Sequence, residues 1–126
     1  MPANAKLKAY RYGIFAEQLA AYYLRVKGYR ILARRYRNPL GEIDIVARRG
    51  NTVVLVEVKA RKRMGDCNYT ITPRKQQMIL RSAEGLLAGY GKITGLAKRN
   101  AHNIRFDVIW LAPWCWPVHI KDAFQL

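Results

Sequence analysis

Two apolar segments rich in β-branched residues, 42–47 and 52–59, are separated by only four residues. Segments of this length and composition favour β-strands, and the Gly50-Asn51 pair between them is typical of a two-residue hairpin turn. With this pair at the centre of the turn, Arg49 opposes Thr52, and every other pair follows by counting back. The sequence therefore predicts an antiparallel hairpin with a defined register.

A helix is predicted before the hairpin, from about Tyr10 to Lys27. Most residues in this segment are good helix formers, and Gly28 supplies a C-terminal stop. Apolar side chains that recur at helical spacing indicate the face that packs against the core. This expected core-facing stripe consists of Phe15, Leu19, Tyr22 and Val26.

Further elements are predicted on both sides of the hairpin. Residues 29–34 favour a short strand, and residues 105–111 have the composition of a buried one. Thr72 as N-cap, with Pro73 at the first helical position, begins a second helix. The order helix, three strands, helix, strand predicts one α/β domain.

The charge of the chain is strongly unbalanced, with 23 Lys and Arg against 8 Asp and Glu, a net charge of +15. The electrostatic field of such a positive charge attracts polyanions, so nucleic acid is the expected partner. Charge alone also allows ribosome association or an acidic membrane surface. The basic side chains expected to contact a phosphate backbone are Arg34, Arg35, Arg37, Arg61, Lys62, Arg63, Lys98 and Arg99.

Acidic residues lie inside the two apolar strands of the hairpin, where a solvated position is not expected. The predicted register makes Asp44 oppose Glu57 and Glu42 oppose Lys59, all on one face of the sheet. Directly opposed carboxylates destabilise a sheet unless a cation or a proton relieves them. Oxygen ligands suit Mg²⁺ or Mn²⁺, so the hairpin predicts a site for one of these ions.

Two more residues belong to this predicted site. Lys59, two residues from Glu57, can orient or deprotonate a water molecule that attacks a phosphodiester. Glu17 lies among small and apolar residues of the first helix and can complete the ligand set of Glu17, Asp44 and Glu57, although an ion pair with an arginine would satisfy it equally. Glu42 is a weaker candidate, because it can simply be the ion-pair partner of Lys59.

The remaining polar residues are weaker candidates, because each also has a purely structural explanation. Lys75 and Gln76, at the start of the second helix, can meet a phosphate at the helix N-terminus or simply face solvent. Asp107 is expected to pair with Arg105 or Arg99, and His119 is expected to have a surface or capping role.

The cysteines and the apolar runs argue against a zinc site, a disulfide framework and a membrane-spanning protein. Cys67 and Cys115 are isolated and lack metal-ligand spacing, and no run approaches the roughly 20 apolar residues of a membrane span. A cytoplasmic protein is therefore expected.

Several of these segments together resemble the YraN-like, endonuclease-related family of bacterial proteins. The segments that carry the resemblance are Gly13–Glu17, Gly41–Asp44, Val56–Lys59, Thr72–Lys75 and Arg105–Val108. The resemblance implies a restriction-endonuclease-like fold, in which a central mixed β-sheet is flanked by helices.

The resemblance also implies roles for individual residues. Asp44 with Glu57-Val58-Lys59 looks like the PD-(D/E)xK nuclease signature, although the proline of that signature is absent beside Asp44. Glu17 is similar to the helix glutamate of archaeal Holliday junction resolvases. The expected activity is metal-dependent endonuclease cleavage of DNA, with branched or recombination and repair intermediates as candidate substrates.

Two rival functions and one oligomeric state stay open at this point. The fold can serve as a nucleic-acid-binding or ribosome-associated module without turnover. A structural adaptor would use Trp110, Trp114 and Trp116 as an apolar contact, although the tail from Pro113 is also apolar enough to pack back onto the domain. A homodimer would suit an enzyme that cuts two strands.

Overall fold

The computed structural model describes residues 3–62, 72–87 and 103–123, apart from the side chains of residues 3–10 and 87. Within these ranges the chain forms two helices and five strands. In chain order they are α1 (Ala3–Val26), β1 (Arg30–Asn38), β2 (Gly41–Arg49), β3 (Thr52–Ala60), α2 (Pro73–Leu87), β4 (Asn103–Leu111) and β5 (Val118–Ile120). Neither described helix is long and apolar enough to cross a membrane.

The strands form one mixed sheet in the order β1-β2-β3-β4-β5, in which β3 and β4 are parallel and the other neighbours are antiparallel. A parallel pair requires a crossover connection, and α2 lies in that connection. Alternate residues of β3 belong to two apolar clusters, one containing side chains of α1 and the other containing side chains of α2. The helices therefore cover opposite faces of the sheet, and the predicted α/β fold class is confirmed.

The hairpin has the predicted register. Arg49 pairs with Thr52, and the ladder continues without a shift to Ile45 and Val56. Gly50 has a φ of 60°, in the left-handed region that this type of turn requires. At the end of α1, Gly28 has a φ of 94°, and Tyr29 donates its backbone N–H to the carbonyl of Leu24, which closes the helix as expected.

The prediction for the buried face of α1 is wrong. Phe15, Leu19, Tyr22 and Val26 are exposed on the outer surface of the helix. Small side chains let the helix backbone approach the strands closely, and this gain in packing outweighs the burial of the larger stripe. The residues of α1 that pack on the sheet are Ala16, Ala20, Ala21 and Leu24.

The tail after β4 also differs from its prediction. Trp114 and Trp116 are exposed instead of packing back onto the domain, and Trp114 has a φ of 62°. Trp110 is buried among the residues that face α2, so it is not available as an adaptor contact. The chain then returns to the sheet as β5, a short strand that the sequence analysis does not predict.

A second polar cluster is buried at β4 and β5. Arg105 donates two hydrogen bonds of 2.8 Å to the Asp107 carboxylate, as the sequence predicts. His119 is not a surface residue, because its Nε2 lies 2.7 Å from Asp107 and its side chain is buried. Its Nδ1 lies 2.6 Å from Nζ of Lys27. This cluster joins β5 to the end of α1.

Candidate active site

Asp44 lies where the regular alternation of β2 is interrupted. Ile43 belongs to the cluster that faces α2, whereas Ile45 belongs to the cluster that faces α1, although residues two apart in a regular strand share a face. The ladder to β3 ends at Ile45, and beyond it the Asp44 carboxylate accepts the backbone N–H of Val58 at 2.8 Å. Across β1, Arg35 has a φ of 54° and lies opposite the interruption. The carboxylate of Asp44 is therefore held at the point where the two strands separate.

The carboxyl group of Glu57 lies against that of Asp44. Glu57 is buried, and burial together with the charge of Asp44 raises its pKa to about 7. In its protonated form Glu57 donates a hydrogen bond to Asp44, which raises the pKa further. The buried Glu57 therefore stays partly protonated near neutral pH beside the half-buried Asp44.

Two lysines flank Glu57 on different oxygens. Nζ of Lys59 lies 3.8 Å from Oε1, and Nζ of Lys75, at the start of α2, lies 3.3 Å from Oε2. Thr72 caps α2 by accepting the backbone N–H of Lys75 at 3.2 Å, so this helix terminus and its lysine are fixed beside the strand. Both lysines lower the pKa of Glu57, yet the pKa stays raised, so burial and Asp44 dominate.

Glu17 of α1 is the third acid of the predicted ligand set. Burial and the charge of Asp44 raise its pKa above the usual range, while Arg35 opposes this shift. Nε of Arg35 lies 3.7 Å from Oε1 of Glu17, which is the arginine pair that the sequence left open. The charge of Asp44 therefore raises the pKa of both other acids, Glu17 and Glu57. Within the described part of the chain, no three acidic, histidine or cysteine side chains are close enough to form a metal cage.

Glu42 does not oppose Lys59 as the predicted register requires. It pairs with Arg37 of β1, with Nε of Arg37 3.6 Å from Oε2 of Glu42. The prediction fails because it extends strict alternation through Asp44, where the strand is irregular. Glu42 is exposed, and its charge contributes to the raised pKa of Glu17.

The predicted phosphate contacts have different environments. Arg34 and Lys62 are exposed, whereas Arg35 and Arg37 form the ion pairs already described. Arg61 is exposed, and its guanidinium stacks 5.1 Å from the ring centre of Trp110. The other members of the set lie outside the described residues, namely Arg63, Lys98 and Arg99.

At the start of α2 the outcomes for the two weaker candidates differ. Lys75 contacts Glu57, a contact that sequence reasoning missed because the two residues are far apart in the chain. Gln76 is half-buried, and its backbone N–H is bonded to the carbonyl of Thr72 at 3.0 Å. The cap at Thr72 marks the start of α2, but no sequence signal places this helix end beside β3.

Replacement of Glu57 tests the electrostatic environment of the site. The folded-state pKa of Glu57, about 7, lies above the ordinary value of 4.5. Between pH 4.5 and pH 7 the folded protein therefore binds a proton that the unfolded chain has released, and the free energy of unfolding falls as the pH rises towards 7. Glutamine cannot ionise, so Glu57→Gln is expected to raise the free energy of unfolding at pH 8 by roughly 1–3 kcal/mol. Urea unfolding without divalent metal, at pH 5 and pH 8, measures this difference.

The control for this measurement is Glu84→Gln, which makes the same chemical change at an exposed position of α2. It is expected to have a small effect that is similar at both pH values. A loss of stability in Glu57→Gln at pH 8 would contradict the prediction, since it would show that the ion pairs with Lys59 and Lys75 outweigh burial.

Comparison with known proteins identifies relatives over nearly the whole chain. Residues 16–111, which include every acid of the candidate site, match the model of a family described as uncharacterised protein family UPF0102. A UPF0102 protein of Bradyrhizobium diazoefficiens is 49% identical over 120 residues, which cover 95% of this chain and 86% of that protein. A UPF0102 protein of Rhizobium meliloti is 44% identical over 123 residues, which cover 98% and 96%. The chain belongs to the uncharacterised protein family UPF0102.

Proposed function

We propose that the protein is an endonuclease that hydrolyses phosphodiester bonds in DNA with the help of Mg²⁺ or Mn²⁺. The observation that carries this proposal is the buried contact between Asp44 and Glu57. In a chain with only 8 acidic residues and a net charge of +15, two of them are held against each other. Such an unfavourable arrangement is typical of functional sites, where stability is given up for chemistry.

The residues suit a hard divalent cation. Carboxylate oxygens are its preferred ligands, and Asp44 and Glu57 are the residues that would hold it. A cation would replace the proton of Glu57 and offset the burial and the charge of Asp44 that together raise its pKa. Glu17 would join them only after separating from Arg35. When bound, the ion would neutralise charge on the phosphate and make a water molecule more acidic.

The two lysines supply the positive charge that would bind a phosphate at this site. Lys59 is half-buried beside Glu57, where its ammonium group can donate a hydrogen bond to the oxygen of a water molecule and so orient that water. Lys75 is fixed at the N-terminus of α2, where its charge and the helix dipole both favour an anion. With a cation held by Glu57, both lysines would be available to a phosphate oxygen.

The surrounding charge supports a nucleic acid as substrate. Arg34 is exposed in the middle of β1 and Lys62 is exposed just after β3, and both can contact a phosphate backbone without reading its sequence. The family resemblance favours DNA, including branched intermediates, and a cytoplasmic location agrees with such a substrate.

Cleavage of end-labelled nucleic acids tests the proposal. The purified chain is incubated with single-stranded, duplex and four-way-junction DNA, and with RNA of the same sequence, in the presence of Mn²⁺, Mg²⁺ or EDTA. We expect DNA cleavage that requires the divalent ion, with EDTA as the control. Absence of metal-dependent cleavage of every substrate would remove the proposal.

A second candidate function is nucleic-acid binding without turnover. The ion pairs of Glu57 with Lys75 and of Glu17 with Arg35 favour it, because they satisfy the acids without a metal. Binding that weakens steeply with salt, unaffected by Mn²⁺ and unaccompanied by cleavage, would identify this function.

A further inference from the structure

The outer surface of α1 carries a regular apolar stripe that the described residues do not cover. Its members follow one another at intervals of three, four, three and four residues, which is the spacing by which one helix packs on another. They are Tyr12, Phe15, Leu19, Tyr22 and Val26. The last four are 42% to 71% exposed. Large apolar side chains at such regular positions are not expected on a helix that faces only water.

The exposed tryptophans of the tail border the same surface. Trp114 and Trp116, which are 104% and 87% exposed, line a groove of about 810 Å³ together with the stripe of α1. None of the described residues that line this groove is charged, although about a quarter of the chain is charged. A polyanion would bind the basic surface instead, so the groove requires an apolar partner.

We propose that this groove is the interface of a homodimer, in which the α1 stripes of two copies pack against each other and the tryptophans of each copy cover the stripe of its partner. Each aromatic residue has a surface of roughly 150–250 Å², and four of those on this patch are more than half exposed, namely Phe15, Tyr22, Trp114 and Trp116. Together with Leu19 and Val26 they expose on the order of 800 Å². This is about the area that each partner contributes to a standard protein interface.

A second copy fits the surface because a two-fold interface brings the same patch together from both sides. The heptad-like stripe is self-complementary, since each α1 supplies the helix that the other one lacks. The high positive charge of each copy opposes the dimer, but the patch itself is free of charge. Association should therefore become tighter as salt screens the long-range repulsion, whereas binding to nucleic acid should become weaker.

The test is the sedimentation equilibrium of the full chain without nucleic acid, at low and high salt. At about 100 µM, well above the micromolar Kd at the weak end for interfaces of this size, we expect twice the chain mass. Tyr22→Glu places a charge on the stripe of both copies and is expected to weaken the dimer roughly a hundredfold. Because Tyr22 is 66% exposed, the variant should keep the wild-type circular dichroism spectrum.

Gln18→Glu is the matched control, because Gln18 is exposed on the same helix but lies outside the stripe. It should dimerise like the wild type. A monomeric wild type, a dimer that survives Tyr22→Glu, or a dimer that dissociates as salt is raised would each overturn the proposal. The experiment does not depend on catalysis, so its outcome is separate from that of the endonuclease assay.

Discussion

Under the proposed endonuclease function, Asp44→Asn is expected to lower metal-dependent cleavage of DNA by roughly a thousandfold or more, because it removes a carboxylate that would hold the cation and thereby leaves the phosphate charge unneutralised. Asparagine keeps an oxygen that can accept the backbone N–H of Val58, so the local fold should be retained. The rate of cleavage under single-turnover conditions, with saturating enzyme and Mn²⁺, measures the chemical step directly. Circular dichroism checks that the variant is folded.

The exposed Glu84 supplies the control for this prediction as well. Glu84→Gln removes one negative charge from α2 and is expected to keep the wild-type rate, whereas Glu57→Gln should lose cleavage like Asp44→Asn. Combined with its expected gain in stability above pH 7, the loss of activity in Glu57→Gln would mark a residue kept for chemistry. Wild-type rates in both Asp44→Asn and Glu57→Gln would contradict the assignment of the site.

Asp107→Asn is expected to destabilise the protein by about 3–5 kcal/mol, because it removes the anion of a buried cluster and leaves Arg105 and His119 without their charged partner. Hydrogen bonds from His119, Arg105 and the backbone of Asp122 outweigh burial and lower the pKa of Asp107 to about 2. The stabilising contribution of Asp107 is therefore complete above about pH 4 and is lost as the pH falls through 2.

Urea unfolding at pH 7 measures this loss, and unfolding towards pH 2 should show the difference between wild type and Asp107→Asn becoming smaller. The proposed DNA cleavage should change little in any folded Asp107→Asn, since the cluster is separate from Asp44 and Glu57. A change within about 0.5 kcal/mol, the usual range for surface substitutions, would show that the cluster does not hold β5 in place.

The hairpin and its register were predictable because both depend on local information. The two-residue turn fixes the pairs from Arg49–Thr52 to Ile45–Val56, and Asp44 and Glu57 are the next residues of the two strands. The same reasoning failed for Glu42, because alternation is interrupted at Asp44 and nothing in the sequence marks the interruption. Lys75 was equally hidden, since its contact with Glu57 depends on how α2 packs over the sheet.

The first helix shows a different limit of sequence reasoning. It carries two apolar stripes, one of large residues that include Phe15 and Tyr22, and one of small residues that include Ala16 and Ala20. Periodicity identifies both stripes but does not say which one meets the sheet. Hydrophobicity alone favoured the large stripe, whereas close packing selected the small one. For His119, the partners come from β4 and from the end of α1, so its burial had no local signal.

The position of Mn²⁺ in a crystal soaked with the ion is the most direct test of the candidate site. We expect an anomalous difference peak at roughly 2.1 Å from carboxylate oxygens of both Asp44 and Glu57, with Lys75 moved away from Glu57, and no such peak in Asp44→Asn. A fully soaked crystal without a peak between these carboxylates, with Glu57 still paired to Lys59 and Lys75, would contradict this expectation.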